Sequence, residues 1–178
     1  KAQVNVVWVS SWYDPGKERE AAETLITQGA DVITQHTDST APVQAAEDKG
    51  VYAIGYHSDM SKYGKKAHLT SIVDVWNDYY IARTKAVLDG TWKSTDTWGG
   101  LESGMLELAA FNHKIPAGVR AKAALTIADI KSGKLRCIAT GTKERLPQLP
   151  DVPTVAESGY PGFEMTQWYG LNAPSNMP

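Results

Sequence analysis

Three short stretches of this 178-residue chain hold the side chains best suited to chemistry. Ser11, Trp12, Tyr13 and Asp14 close the first, VNVVWVSSWYD. His36, Thr37 and Asp38 close the second, ADVITQHTD, and His57, Ser58 and Asp59 close the third, VYAIGYHSD. The flat faces of Trp12 and Tyr13 suit stacking on an aromatic base or a sugar. Thr37 adds a hydroxyl and Asp38 a carboxylate, while a carboxylate placed as Asp59 is takes a ribose diol in many Rossmann-like sheets. His36 and His57 suit hydrogen bonding to a ligand or a loop, and a pair such as His36 with Asp59 is the arrangement fit for acid–base work. Asp14 and Asp38 have a plainer duty available, since each precedes a helix start and can cap its free N–H groups.

The usual signatures of catalysis are absent: G-x-S-x-G, H-E-x-x-H, C-x-x-C and the P-loop do not occur. The four histidines (His36, His57, His68, His113) lack metal-ligand spacing, so neither a metal nor a cofactor is expected. Gly99-Gly100 has no strand before it to make a phosphate cradle. Lys62, Lys65 and Lys66 form a small basic knot that reads as a solvated loop.

These polar ends need elements to carry them. Each stretch begins apolar and β-branched, and a helix-like segment separates it from the next, the pattern of parallel strands with crossover helices. The spacing predicts a first strand over Lys1–Val9, a helix over Gly16–Gln28 with Ala21, Ala22, Leu25 and Ile26 on its inner face, and a second strand over Asp31–Gln35. A helix over Ala41–Lys49 follows, capped by Asp38 or Ser39 and ended by Gly50. Strands are expected over Val51–Tyr56 and His68–Val73, then a helix over Asp78–Asp89 with Ile81, Val87 and Leu88 inward. Thr91–Ser103 reads as a loop or short hairpin, Met105–Phe111 as a short apolar segment, Pro116–Lys131 as a helix and Leu135–Thr140 as a last strand. Beyond it Pro147, Pro150, Pro153, Pro161, Pro174 and Pro178 break regular structure, leaving room for a short helix over Val152–Ser158 and an edge strand over Gln167–Leu171.

The fold class is therefore α/β, a Rossmann-like or flavodoxin-like parallel-sheet lobe over residues 1–133. A C-terminal strand and proline-rich tail occupy residues 134–178. A hydrophobic fraction of 42% and a charged fraction of 21% suit a protein that buries a core. The net charge of −2 gives no reason to expect nucleic acid. One cysteine, Cys137, excludes an internal disulfide. No apolar run approaches the roughly 20 residues that span a bilayer, and with no signal peptide recognised the chain is expected to be cytosolic or already processed. Six tryptophans are many for this length, and aromatics at that density often line ligand pockets.

The stretch from VVWVSSWYDPGKERE to VYAIGYHSDM, continued by KAHLTSIV and KAVLDGTW, resembles the second lobe of the basic-membrane-protein family of ABC-transporter substrate-binding proteins. The likeness runs over about residues 1–133. The tail string LPDVPTVAESGYPGFE resembles the end of tripartite tricarboxylate transporter receptors, and the two likenesses meet near Ile130–Lys134. The whole chain fits neither family. A chimera is the leading expectation, beside a gene fusion and a sequence assembled in error.

The first resemblance implies a non-enzymatic solute-binding lobe of type I periplasmic architecture, taking a purine-like or nucleoside-like ligand. Its partners would be a membrane permease and a first lobe that precedes Lys1, or a second copy in its place. Its location would be periplasmic or membrane-anchored and extracytoplasmic. Trp12 stands where the family would stack a base, and Asp59 where it would hold a sugar or base. Ser11 stands where that family often has Asn, His57 where it often has Asp, and Trp76 near a place where purine-binding relatives tend to carry lysine. The expected ligand-binding set is Ser11, Trp12, Tyr13, Thr37, Asp38, His57, Asp59 and Trp76. The second resemblance implies a small carboxylate as the competing ligand. An enzyme built on His36 or His57, and an interaction module presenting Trp76, Trp92, Trp98 and Trp168, are the readings from other classes.

Overall fold

The computed structural model describes residues 3–135, 139–147 and 150–164. The chain divides into two compact units, Lys1–Lys134 and Leu135–Pro178. The first is an α/β lobe whose elements run α1 (Pro15–Thr27), β1 (Val32–Thr34), α2 (Ala41–Lys49), β2 (Tyr52–Gly55), β3 (His68–Asp74), α3 (Asn77–Leu88), β4 (Leu106–Leu108) and α4 (Ala117–Lys131). The sheet order is β1-β2-β3-β4, with the first two pairings parallel and β4 antiparallel to β3.

Local chemistry explains the first helices. Asp14 Oδ1 accepts from Lys17 N at 3.1 Å, and Pro15 takes the first helical position of α1, where a missing N–H costs nothing. The Lys17 N–H, ahead of a small opposing effect of burial, holds the Asp14 carboxyl below its usual range. Gly50 ends α2 at φ 74°, the left-handed position that glycine takes without strain. Neither expected side chain occupies the cap position of α2, which is Thr40. Ser39 still serves the helix end, since its Oγ accepts from Ala41 N at 3.3 Å.

Ala22 of α1 meets Ala45 and Ala46 of α2 and the sheet residues Ile33 and Ala53 in a core closed by Val43, Met60 and Ala67. Leu25 and Ile26 pack against it as their helical spacing predicts. Arg19 of α1 reaches Asp48 of α2 at 2.6 Å across the outside of the same contact.

The expected first strand is corrected. Residues 3–9 lie outside the sheet, with Val4 83% and Trp8 72% exposed. In the flavodoxin-like order the first strand sits between the second and third. Here β1 pairs directly with β2, Ile33 opposite Ala53, and that place is closed. β-Branched residues fit a pleated surface, but only a neighbour with open N–H and C=O groups makes them a strand. The inward face expected of α3 is also corrected: Ile81, Val87 and Leu88 are exposed, and α3 buries no residue. Helical spacing aligned those side chains, but among the described residues none buries them.

In the second unit Thr140 and Thr154 form an isolated parallel bridge. The segment expected as a helix over Val152–Ser158 is a run of turns instead. Its start carries a reciprocal cap, in which Glu157 N donates to Thr154 Oγ1 and Thr154 N donates to Glu157 Oε2. Arg145 Nε holds both Glu157 oxygens, at 3.1 and 3.0 Å. Proline at 153 and glycine at 159 leave too few residues for the helix to propagate. The expected strand over Gln167–Leu171, together with Cys137 and Trp168, lies outside the described residues, as does part of Leu135–Thr140. Among the described residues no helix is long and apolar enough to cross a membrane.

Gly55 shows how tightly β2 and β3 approach. A methyl group there would fall on Ser71 Oγ, which is fully buried and bonded to Met60 N at 3.1 Å and His68 Nε2 at 2.7 Å. Gly55→Ala is expected to lower the unfolding free energy by about 1–3 kcal/mol, read from urea denaturation. An unchanged midpoint would show that Ser71 can yield.

Candidate functional site

The carboxyl ends of β1, β2 and β3 are held side by side by two devices. The first is Glu18, in the first turn of α1 and only 2% exposed. Its carboxylate accepts from Asp14 N at 2.9 Å, Ser39 N at 3.2 Å and Ser39 Oγ at 2.7 Å. It thereby ties the segment before α1 to the loop after β1. Asp38 N donates to Trp12 O at 2.8 Å beside it, so Trp12 is placed by its backbone.

The second device is His57, at the exit of β2. Its Nδ1 lies 2.6 Å from Asp74 Oδ2 at the end of β3, and its Nε2 lies 2.9 Å from Asp38 Oδ1 after β1. Rings fill the space between. The Tyr56 ring sits 3.8 Å from His57 and 4.7 Å from His36, and Tyr56 Oη meets His36 Nε2 at 3.1 Å. Trp12 follows at 6.0 Å from His36 and stays half exposed. Burial, then the neighbouring His57, pulls the His36 pKa down. The result is a ledge of four rings with carboxylates along one side.

Of the residues expected to bind, Trp12, Asp38 and His57 come together here. Thr37 lies on the same loop, its carbonyl accepting from Gln35 Nε2 at 2.8 Å. Ser11 and Tyr13 flank Trp12, with Tyr13 67% exposed. Asp59 turns elsewhere. Its Oδ1 accepts from Ser61 N at 2.9 Å, the main reason its pKa is lowered, and stands 3.9 Å from His68 Nε2. The His36–Asp59 pair suited to acid–base work is therefore not the arrangement found, because His36 turns to Tyr56. Trp76 joins a separate aromatic group, stacked on Tyr80 at 5.7 Å and edge-on to Tyr79.

Sequence reasoning missed Glu18, Tyr56 and Asp74. Tyr56 and Asp74 were visible as polar-capable residues at strand ends, but Glu18 reads as an ordinary surface position of an amphipathic helix. Two surface hollows lie away from this ledge, one along α1 beside Val7 and Trp8, the other at the opposite end of the sheet beside Asp31, Tyr52 and Lys114. Among the described residues no group of three or more His, Cys, Asp or Glu could hold a metal ion.

Residues 1–127 match the sequence pattern of the ABC transporter substrate-binding protein PnrA-like family. The chain belongs to that family. Residues 98–178 match the tripartite tricarboxylate transporter family receptor, overlapping the first match. A purine-binding protein of Brucella abortus is 53% identical over 133 residues, which are 75% of this chain and 38% of that protein. The crystal structure of a transcriptional activator of the comK gene from Bacillus halodurans superposes with a TM-score of 0.65 at 27% identity, over 72% of this chain and 46% of the other. An ABC transporter solute-binding protein from Conexibacter woesei shares the fold at a TM-score of 0.56 and 22% identity, over 73% and 44%. The chain thus spans less than half the length of each of these relatives.

Two outcomes follow from the site's bonding. Glu18→Ala strands three donors in a buried place and is expected to cost about 3 kcal/mol in urea denaturation, with Glu18→Gln costing less. Burial also lowers the pKa of His68, against an opposing pull from Asp59. A histidine kept neutral in the fold takes its proton first in the unfolded chain, so His36 and His68 lower stability as pH falls below 6.5. Melting temperatures on either side of that pH should differ less in His68→Gln than in the parent chain. An equal drop in both would remove His68 from the account.

Proposed function

We propose that the first unit is one wall of a non-catalytic solute-binding site that takes a flat, nitrogen-rich ring of the purine kind. The carrying observation is the ledge of Trp12, His36, Tyr56 and His57 at the carboxyl ends of parallel strands, the place where such sheets bind ligands. The ring would lie against Trp12, with Ser11, Tyr13 and Thr37 around it and Asp38 accepting from its N–H edge. Asp59 and Trp76 are the outer members of the expected set, and each would reach only a ligand larger than a bare base.

The identity to a purine-binding protein supports this reading, and so does the sign of the site. Asp38 and Asp74 flank the ledge, which favours a ligand rich in N–H donors over a carboxylate. The match of residues 98–178 to tricarboxylate receptors supports the competing reading of a small carboxylate. Chains of this family work with a partner lobe and a membrane permease outside the cytoplasm, so an extracytoplasmic binding role is the corresponding proposal here. Separate origins for the two ends of the chain would account for two family matches, although these overlap over residues 98–127 and do not follow the boundary between the units.

Tryptophan fluorescence titrated with adenine, adenosine and a small dicarboxylate tests the choice. Saturation is expected with adenine, weakened at least about tenfold in Trp12→Ala, the worth of one base–aromatic stack. Saturation by the dicarboxylate alone would transfer the function to the second family's reading.

A further inference from the structure

His57 stands at φ 63°, a left-handed conformation uncommon for residues with a Cβ and costly to hold without support. The backbone is pinned on both sides: Ser58 N donates to Tyr56 O at 2.8 Å, and Asp74 N donates to His57 O at 3.0 Å. Strain held in place at a strand end calls for a reason. The ring supplies one, because this conformation lets it span carboxylates from two other strands, at 2.6 and 2.9 Å.

Ionised carboxylates only accept, and a neutral imidazole has a single N–H. Both contacts are hydrogen bonds only if the bridge holds one proton more than a neutral ring between two ionised carboxylates. We propose that His57 is a positioning residue of the solute site, acting through Asp38 and Asp74 by means of this shared proton. The proposal rests on the solute-binding reading of the ledge.

Among the described residues, the groups facing the ring include Asp38 from the loop after β1, Asp74 from β3, His36 just after β1 and the ring of Tyr56, its neighbour in the chain. Burial keeps His36 on its neutral side, and the two carboxylates are the groups that share the ring's second proton. Its loss as pH rises removes one leg. The Asp38 leg is the outer one, with 38% of the Asp38 side chain exposed against 12% for Asp74, and it is the leg that opens. Asp38 also carries Trp12 through its backbone N–H, so releasing its carboxylate loosens the stacking face. Purine affinity should then fall as pH rises.

The test uses the whole chain between about pH 6.5 and pH 9, above the range where His36 and His68 take protons. Adenine affinity is followed by tryptophan fluorescence, and the His57 ring by nitrogen NMR, which separates a doubly protonated imidazole from a single tautomer. The expected result is a ring with two N–H groups at the lower end and an affinity that falls roughly tenfold as the second proton leaves. His57→Gln should weaken binding and flatten the pH profile. Should that variant fail to fold, Asp38→Asn removes only the outer leg and should flatten the same profile. A neutral single tautomer throughout, or a variant with the parent's profile, overturns the proposal. If adenine binds at no pH, a doubly protonated ring upholds the bridge while sinking the purine reading, and a neutral ring sinks the bridge.

Discussion

The buried carboxylate of Glu18 is the interaction on which the rest of the strand-end structure depends. A carboxylate removed from water must find donors, and Glu18 finds three, two of them on Ser39. Those bonds fasten the start of α1 to the loop after β1. Trp12 and Asp38 are then neighbours because their backbones have no other course. Without this knot the backbone bond from Asp38 N to Trp12 O would have to hold the two loops together in its place.

The same logic separates the well-packed half of the lobe from the open half. Around α1, α2, β1 and β2, small alanines let the layers approach, and the core closes on Met60 and Val43. Around α3 and α4 no residue is buried, although both helices carry apolar side chains at helical spacing. The apolar run over residues 3–9 is exposed in the same way. Amphipathic patterning states which face wants cover. It does not supply the cover.

Much of the α/β order was legible because its signals are local. Asp14-Pro15 before α1, Gly50 after α2 and Gly133 after α4 act within a turn of the helix they bound, through steric and hydrogen-bonding rules that need no distant partner. The family was legible for a related reason: long motifs such as VYAIGYHSDM preserve order along the chain, whatever pairs with what. The short helix expected over Val152–Ser158 shows the limit. Thr154 and Glu157 exchange the bonds of a helix cap, yet a cap without enough residues behind it closes only a turn.

The sequence by itself determined the four helices of the first unit to within a residue, the α/β class, the family, and the gathering of polar and aromatic residues at three places along the chain. Only the tertiary structure decided which strands pair and which of those residues meet. Glu18 bonds Ser39 across 21 positions, and His57 reaches Asp38 and Asp74 across 19 and 17. Such contacts depend on register and on which strand lies beside which. The β1–β2 pairing excluded the expected first strand and the turn of Asp59 toward Ser61 removed it from the ledge, for one reason: residue types state what a group can bond, and the fold chooses among the partners it brings within reach.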